Sequence, residues 1–451
     1  MAEFIERVPE RSYALPGGAC QDLAHLPGPA GHWLFGNLRQ LGANPEPLLT
    51  SLREQHGDCF TFGFLRNQRK LIMTGPEANE LVLLDRDDNF SSHWGWEVVH
   101  SFFGHNILVR DFEDHRLHRK LMTQLFKPAS LARYLGQMEG PIDRALATYV
   151  GPIDAYRQTK VMALEIAIRV FAGITSENVD AWNANLTTVL SNVMAPRIRL
   201  PGTRYWAALA ARDRLRAMLE AEVAPRRGAA GDDLLTQLVN NTDQRGRTLC
   251  VQDVIDHMFG ILFAAHDTTA SSLAMLFWRF AKHPDLQERA IEECGQLYGR
   301  SGSPRLRYED LDELPFIEAC FKETLRLYAP IQFLPRRSLR AFSFNGHEIP
   351  ANTAILLAPQ VTHFDREFYP QPDRFLPSRF EGSTSAPFAF VPFGKGSHMC
   401  LGMRFAYMEI KAVMYRLFLS RRIRPADDAN LDLEYLPIVR PKKAMQVVFE
   451  T

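Results

Sequence analysis

Residues 393 to 402 read Phe393-Gly394-Lys395-Gly396-Ser397-His398-Met399-Cys400-Leu401-Gly402, and the reading of this stretch decides the fold. Three glycines bracket one cysteine, and the apolar positions that follow, Leu401, Phe405, Met408 and Ala412, fall on one face of a helix. Glycine permits positive φ angles and close backbone approach. A cysteine just ahead of a helix faces unpaired N–H groups and the positive end of the dipole, so its thiol pKa is expected to fall. A thiolate so placed suits a metal or an electrophile. The ordinary alternative for a lone cysteine is a small buried hydrophobe.

A second stretch stands out upstream. Met258-Phe-Gly-Ile-Leu-Phe-Ala-Ala265 continues through Leu273-Ala-Met-Leu-Phe-Trp278 and is apolar on nearly every face, as in a helix through a protein's centre. His266-Asp267-Thr268-Thr269 interrupts it. A polar turn there is costly unless it is functional or bonded within its own helix as a local kink.

The whole chain, 451 residues with 46% hydrophobic and 23% charged, has the composition of a soluble globular protein with one large domain or two intimate ones. Lys plus Arg and Asp plus Glu are 52 each, so no net field points to nucleic acid or an anionic membrane. Cys20, Cys59, Cys250, Cys294, Cys320 and Cys400 form no C-x-x-C pair, which argues against a zinc site or disulfide framework and for a cytoplasmic protein. Met1 to Cys20 lacks the apolar core of a signal peptide, and a membrane anchor is not expected. Phosphate loops and G-x-G-x-x-G motifs are absent. The expected layout is a leader over 1–25 and a single domain over 26–451, mainly α. Small β regions fall near 55–75 and 335–360, and Met445 to Phe449 reads as a strand.

The pattern F-G-x-G-x-H-x-C-x-G resembles the haem-binding loop of the cytochrome P-450 family, whose cysteine is the proximal iron ligand. The resemblance implies the family's fold, with haem b between the long central oxygen-binding helix and the cysteine-loop helix. Phe393 and Ala264 would lie against the cofactor. Glu323-Thr-Leu-Arg326 resembles the family's Glu-x-x-Arg pair, two groups on one helical face. Pro372-Asp-Arg374-Phe375 resembles the segment that adds a second arginine to it. Ala264-Ala265-His266-Asp267-Thr268-Thr269 is similar to the oxygen-binding motif, with Ala265 where glycine is usual. A threonine hydroxyl bonded to a preceding carbonyl would loosen the helix, and Asp267 with Thr268 would deliver protons while Cys400 supplies electron density.

The two propionates implied by haem call for buried or rim-placed cations. By resemblance these are His398, Arg336, and His115 with Arg119, the last pair standing where the family often has Trp-x-x-x-Arg. The run His115, Arg116, His118, Arg119, Lys120 reads equally as a solvated basic face, or as a dock for an acidic electron donor. No flavin or iron–sulfur motif is present, so a ferredoxin and its reductase are the implied donors to a monomeric enzyme using dioxygen. Candidate walls for an apolar substrate are Trp94, Trp96, Phe102, Phe103, Ile331, Phe333, Leu334 and Ile438, each of which could equally be core.

Asn345-Gly-His-Glu-Ile-Pro350 and the His115 variant look similar to the group with sterol demethylases, retinoic-acid hydroxylases and related bacterial enzymes, but Asp267-Thr268 replaces the His-Thr usual in sterol demethylases. A terpenoid, steroid, retinoid-like or fatty-acyl substrate fits. The leading reading is a monooxygenase. Its rivals are a peroxide-using peroxygenase or isomerase, whose known examples often lack the acid and alcohol pair, and a non-catalytic haem carrier or sensor.

Overall fold

A computed structural model describes residues 4–6, 23–29, 31–37, 40, 44–64, 68–174, 179–193, 195–382, 386–426 and 431–450. Six helices position the site: α1 (Phe112–Gln124), α2 (Pro128–Ala147), α3 (Ala155–Ala167), α4 (Val251–Lys282), α5 (Pro315–Tyr328) and α6 (Met403–Phe418). The apolar run read from the sequence is α4. Its 32 residues span about 48 Å at 1.5 Å per residue, and most of its side chains are buried. Helix α3 lies along it, tied by Thr159 Oγ1 donating to the Ala270 carbonyl at 3.0 Å.

Helix α5 begins with Pro315 at its first position, where a missing N–H costs nothing. The next two free amides, Phe316 and Ile317, donate to the Glu293 carboxylate at 2.6 and 3.0 Å, a charged cap supplied by the helix Pro284–Ser301. Capped so, α5 presents a fully buried face that includes Glu323 and Arg326.

Strands β1 (Cys59–Gly63), β2 (Arg69–Met73), β3 (Phe90–Ser91), β4 (Leu334–Ser338) and β5 (Ala354–Leu357) form one sheet in the order β1-β2-β5-β4-β3. Only β2 and β5 pair in parallel, with Leu71 opposite Ile355. The register sets Arg336 of β4 against Ile355 and so fixes where that arginine emerges. Both β regions expected from the sequence therefore exist and join. Phe342–Phe344 and His347–Ile349 make a separate hairpin whose Asn345-Gly346 turn has φ of 48° and 76°, the positive values a two-residue turn of this kind requires. The C-terminal Gln446–Glu450 forms the middle strand between Gly151–Asp154 and Arg422–Pro425.

Most of the expected leader lies outside the described residues, but part of it belongs to the domain. Ile5 is 3% exposed and its amide donates to the Thr248 carbonyl at 2.8 Å. Leu23 is likewise buried. Among the described residues no helix is long and apolar enough to cross a membrane.

Candidate functional site

The cysteine loop ends two residues before α6. Cys400 N–H donates to the Phe393 carbonyl at 2.8 Å, closing the loop on itself. Gly394 and Gly396 both have φ of 67°, as the sequence led one to expect, and a Cβ on Gly396 would stand 2.0 Å from the Leu83 carbonyl oxygen. Gly402 differs: its φ is −85° and a Cβ there would meet nothing within 4 Å. The thiol also departs from expectation. The Gly402 amide and Arg119 pull its pKa down, but burial outweighs both and pushes it up. Yet Cys400 is exposed by surface area. Its thiol is thus surrounded by protein and still keeps accessible surface.

Around it stand His115, Arg119, Arg336 and His398. The His115 and His398 rings stack at 3.9 Å with 27° between planes. Burial first, then the guanidinium groups around them, holds both imidazoles neutral, with His115 pushed down to about 3. A neutral imidazole still offers one N–H donor. Among the described residues neither Arg119 nor Arg336 forms a carboxylate salt bridge; Arg336 is 5% exposed and donates only to the Pro335 carbonyl. His115 Nε2 is buried with no partner. Two unneutralised guanidinium groups and an orphaned ring nitrogen beside an accessible thiol fit a cofactor carrying one thiolate-seeking metal and two carboxylates.

The expected basic face is only partly one. Arg116 and Lys120 are exposed, but His118 is fully buried between Arg110 and His257.

In the middle of α4, where its flanks are buried, Ala264 is exposed and Phe263, Ala265 and Thr268 are half-buried, which marks an open interior face. Thr268 Oγ1 donates to the Ala264 carbonyl at 2.7 Å, the back-bond anticipated from the sequence, while the helix runs on unbroken. Asp267, 6% exposed, points to the other side, where Lys160 of α3 reaches it at 2.8 Å and His266 Nδ1 lies at 3.3 Å. Lys160 was not legible: it lies 107 positions earlier in an ordinary amphipathic helix.

Glu323 and Arg326 are both 0% exposed and bidentate, at 2.7 and 2.8 Å. Arg326 also donates to the carbonyls of His363, Pro372 and Arg374, and Glu323 accepts the Leu376 amide. Here one assignment is corrected. Arg374 contributes its carbonyl, whereas its side chain is exposed and turns to Gln371. The guanidinium beside Glu323, at 3.4 Å, is that of Arg379. The signal was present, because Pro377-Ser-Arg379-Phe380 repeats the Pro-x-Arg-Phe spacing of Pro372-Asp-Arg374-Phe375 five residues later.

The substrate candidates separate. Phe103 meets Phe263 at 3.9 Å between ring centroids and so borders the open face of α4. Phe102, 1% exposed, packs edge-on against Tyr205 and belongs to the core. Val439 donates to the Pro330 carbonyl and accepts from Ser271 of α4, which brings the segments of Ile331 and Ile438 together beside α4; Ile438 itself is buried. Phe333 and Leu334 pack partly against the sheet's own clusters. Trp94 and Trp96 are half-buried next to β4, and Trp96 Nε1 is buried without a partner.

Comparison with known proteins agrees with this geometry. A family profile described as Cytochrome P450 matches residues 26–156 and 177–449. The "putative cytochrome P450 136" of Mycobacterium tuberculosis is 30% identical over 98% of this chain and 92% of its own. The taxane 13-alpha-hydroxylase of Taxus cuspidata is 28% identical over 91% of this chain and 89% of its own. A solved structure, the retinoic acid bound cyanobacterial CYP120A1, superposes with a TM-score of 0.84 at 27% identity, covering 94% of this chain and 99% of that one. The match along nearly the whole length, with a glycine-bracketed cysteine whose enclosed thiol keeps accessible surface, establishes that this chain belongs to the cytochrome P450 family and is a P450 monooxygenase.

Proposed function

We propose that this P450 monooxygenase holds haem b through Cys400 and hydroxylates an apolar terpenoid- or retinoid-sized molecule, with electrons from a separate ferredoxin and its reductase. The observation that carries the reading is the coincidence of an accessible interior thiol with two arginines that form no carboxylate salt bridge among the described residues, Arg336 sensing Asp111 and Asp85 only at longer range. The names of the taxane hydroxylase and the retinoic acid complex favour the substrate class, as does the apolar border formed by Phe103 and Phe263.

Bound here, the haem would supply the redox centre at which dioxygen is reduced and cleaved. The chain's own residues do the rest. Cys400 Sγ would hold the metal and supply it with electron density, and Arg119 and Arg336 with His115 and His398 would hold the propionates. Thr268 Oγ1 keeps its hydrogen on the Ala264 carbonyl until the open face is engaged, then presents it to the cavity. Asp267 is held away from Thr268 by Lys160, whose side chain is 20% exposed, and release of that ion pair would free the carboxylate to turn and carry a proton inward. The acid and alcohol pair is the feature favouring this reading over a peroxide-using enzyme. Cysteine usage is in keeping with a cytoplasmic protein.

The test is a spectral screen of the purified holoenzyme with diterpenoids, retinoids, steroids and fatty acids. A low-spin to high-spin shift with the first two classes is the expected result. A shift confined to fatty acids would remove the proposed substrate class, and turnover faster with peroxide than with reductase would remove the proposed electron source.

A further inference from the structure

Arg279, in the last turn of α4, takes no part in the chemistry above. It lines a crevice of about 330 Å³ bounded by the end of α4, the start of the helix Pro284–Ser301 and residues 373–378. The walls are partly aromatic. The Arg279 guanidinium lies 4.9 Å from the Tyr328 ring centroid and 5.5 Å from that of Phe375, and the His283 ring stacks on Phe375 at 5.5 Å. Phe316 lines the crevice as well.

A guanidinium has five N–H donors, and a partly desolvated one is normally matched to a carboxylate. Among the described residues Arg279 donates only to the Tyr328 hydroxyl, and its Nε is buried without a partner. Glu323 is near enough to stabilise its charge, but that carboxylate is bound by Arg326 and the Leu376 amide. Burial draws the Arg279 pKa down to about 10, in keeping with a cation short of counter-charge.

The crevice also contains acids, and their positions decide the balance. Glu381 is held in a bidentate pair by Arg289 at 2.9 and 2.6 Å. Asp285 and Asp373 are exposed at the rim, as is Arg374, whose side chain bonds only Gln371. Rim charges act through water and are screened far more strongly than a charge in a partly enclosed site of lower dielectric. The inner cation therefore dominates the field felt by a ligand that reaches it.

We propose that this crevice binds a small organic oxyanion, a carboxylate or phosphate, with its charge on Arg279 and an apolar body against Phe316 and Phe375. The occupant would bridge α4 to the segment 373–378. The Pro372 and Arg374 carbonyls at that segment's start accept from Arg326, which also holds the carbonyl of His363, and His363 Nε2 takes the Val391 amide at 3.1 Å just ahead of the cysteine loop, so ligand binding is coupled to the unit that supports the loop.

The experiment titrates the native holoenzyme with inorganic phosphate, acetate and benzoate at constant ionic strength, following heat of binding, thermal midpoint and haem spin state. Saturable binding of one equivalent with a raised midpoint is expected, and Arg279→Met should weaken it by about tenfold or more, the loss of a charge-assisted hydrogen bond. Arg279→Lys, which keeps the charge without the planar fork, should fall between and still reports if the Met variant does not fold. Benzoate tighter than acetate supports use of the aromatic wall; phosphate binding alone assigns the site to inorganic phosphate. No saturable binding below about 10 mM, or equal affinity in Arg279→Met, overturns the proposal. So does benzoate binding that shifts the spin state and ignores Arg279, which places it in the haem cavity. The carbon monoxide spectrum of each variant reports the haem reading separately.

Discussion

Replacing Arg326 by lysine removes the most heavily bonded side chain near the site while keeping its charge. Arg326 makes two hydrogen bonds to Glu323 and three to carbonyls of His363, Pro372 and Arg374, all from a position with no solvent exposure. A lysine ammonium has three donors without the planar fork, so it can satisfy Glu323 or the carbonyls but not both sets. Breaking a buried pair costs about 3–5 kcal/mol, and each abandoned buried carbonyl about 1–3 kcal/mol. Allowing two lost carbonyl bonds and partial retention of the ion pair, the expected cost is about 3–5 kcal/mol. Set against the roughly 5–15 kcal/mol that domains have in hand, this should lower the urea midpoint markedly and leave much of the purified protein without haem. Glu323→Gln alone should be similarly damaging. The double variant Glu323→Gln/Arg326→Lys should cost at least about 1 kcal/mol less than the sum, because each single change strands the other's charge or donors. Additive losses, or an Arg326→Lys protein with unchanged midpoint and full haem, would refute the claim that this network holds the loop.

Gly396→Ala should destabilise the cysteine loop by a few kcal/mol, since positive φ and a Cβ 2.0 Å from the Leu83 carbonyl oxygen coincide; haem content measured against Gly136→Ala in helix α2, where φ is ordinary and a Cβ meets nothing, is the check. Glu409 is 2% exposed, its Oε1 has no partner, and burial raises its pKa from 4.5 to about 8. The folded form keeps the proton that the unfolded form releases, so stability should be full below about 4.5, fall as pH rises toward about 8 and level off above it. Glu409→Gln should flatten that slope and be more stable at pH 8 by up to a few kcal/mol; parallel pH profiles for the two proteins would show the group to be ionised. Lys160→Met, which strands Asp267, should divert reducing equivalents to peroxide as Thr268→Ala and Asp267→Asn do, and unchanged coupling in all three would remove the proposed proton route.

The features legible in the sequence are those coded by local spacing. The cysteine loop, the central helix with its polar turn, and Glu323 with Arg326 could be placed because glycine tolerance, apolar periodicity and an i, i+3 pair leave marks a few residues long. What failed depended on contacts distant in sequence. Lys160 reaches Asp267 from another helix, and no local pattern announces that meeting. Arg374 and Arg379 follow the same Pro-x-Arg-Phe spacing, and only the turn between them decides which guanidinium faces inward. The direction in which burial alone pushes the thiol and the imidazoles was not legible either: a helix end and nearby cations leave local marks, but burial is a property of the whole fold. Phe102 and Phe103, adjacent in sequence, divide between core and cavity border, a distinction composition cannot make.

The central claim is that Cys400 is the thiolate ligand of a haem iron, and the carbon monoxide difference spectrum of the reduced protein tests it most directly. The account predicts the strongly red-shifted Soret band of a thiolate trans to carbon monoxide in the native protein and its loss in Cys400→Ser. A native spectrum without that band, or a Cys400→Ser protein that keeps it, would contradict the assignment.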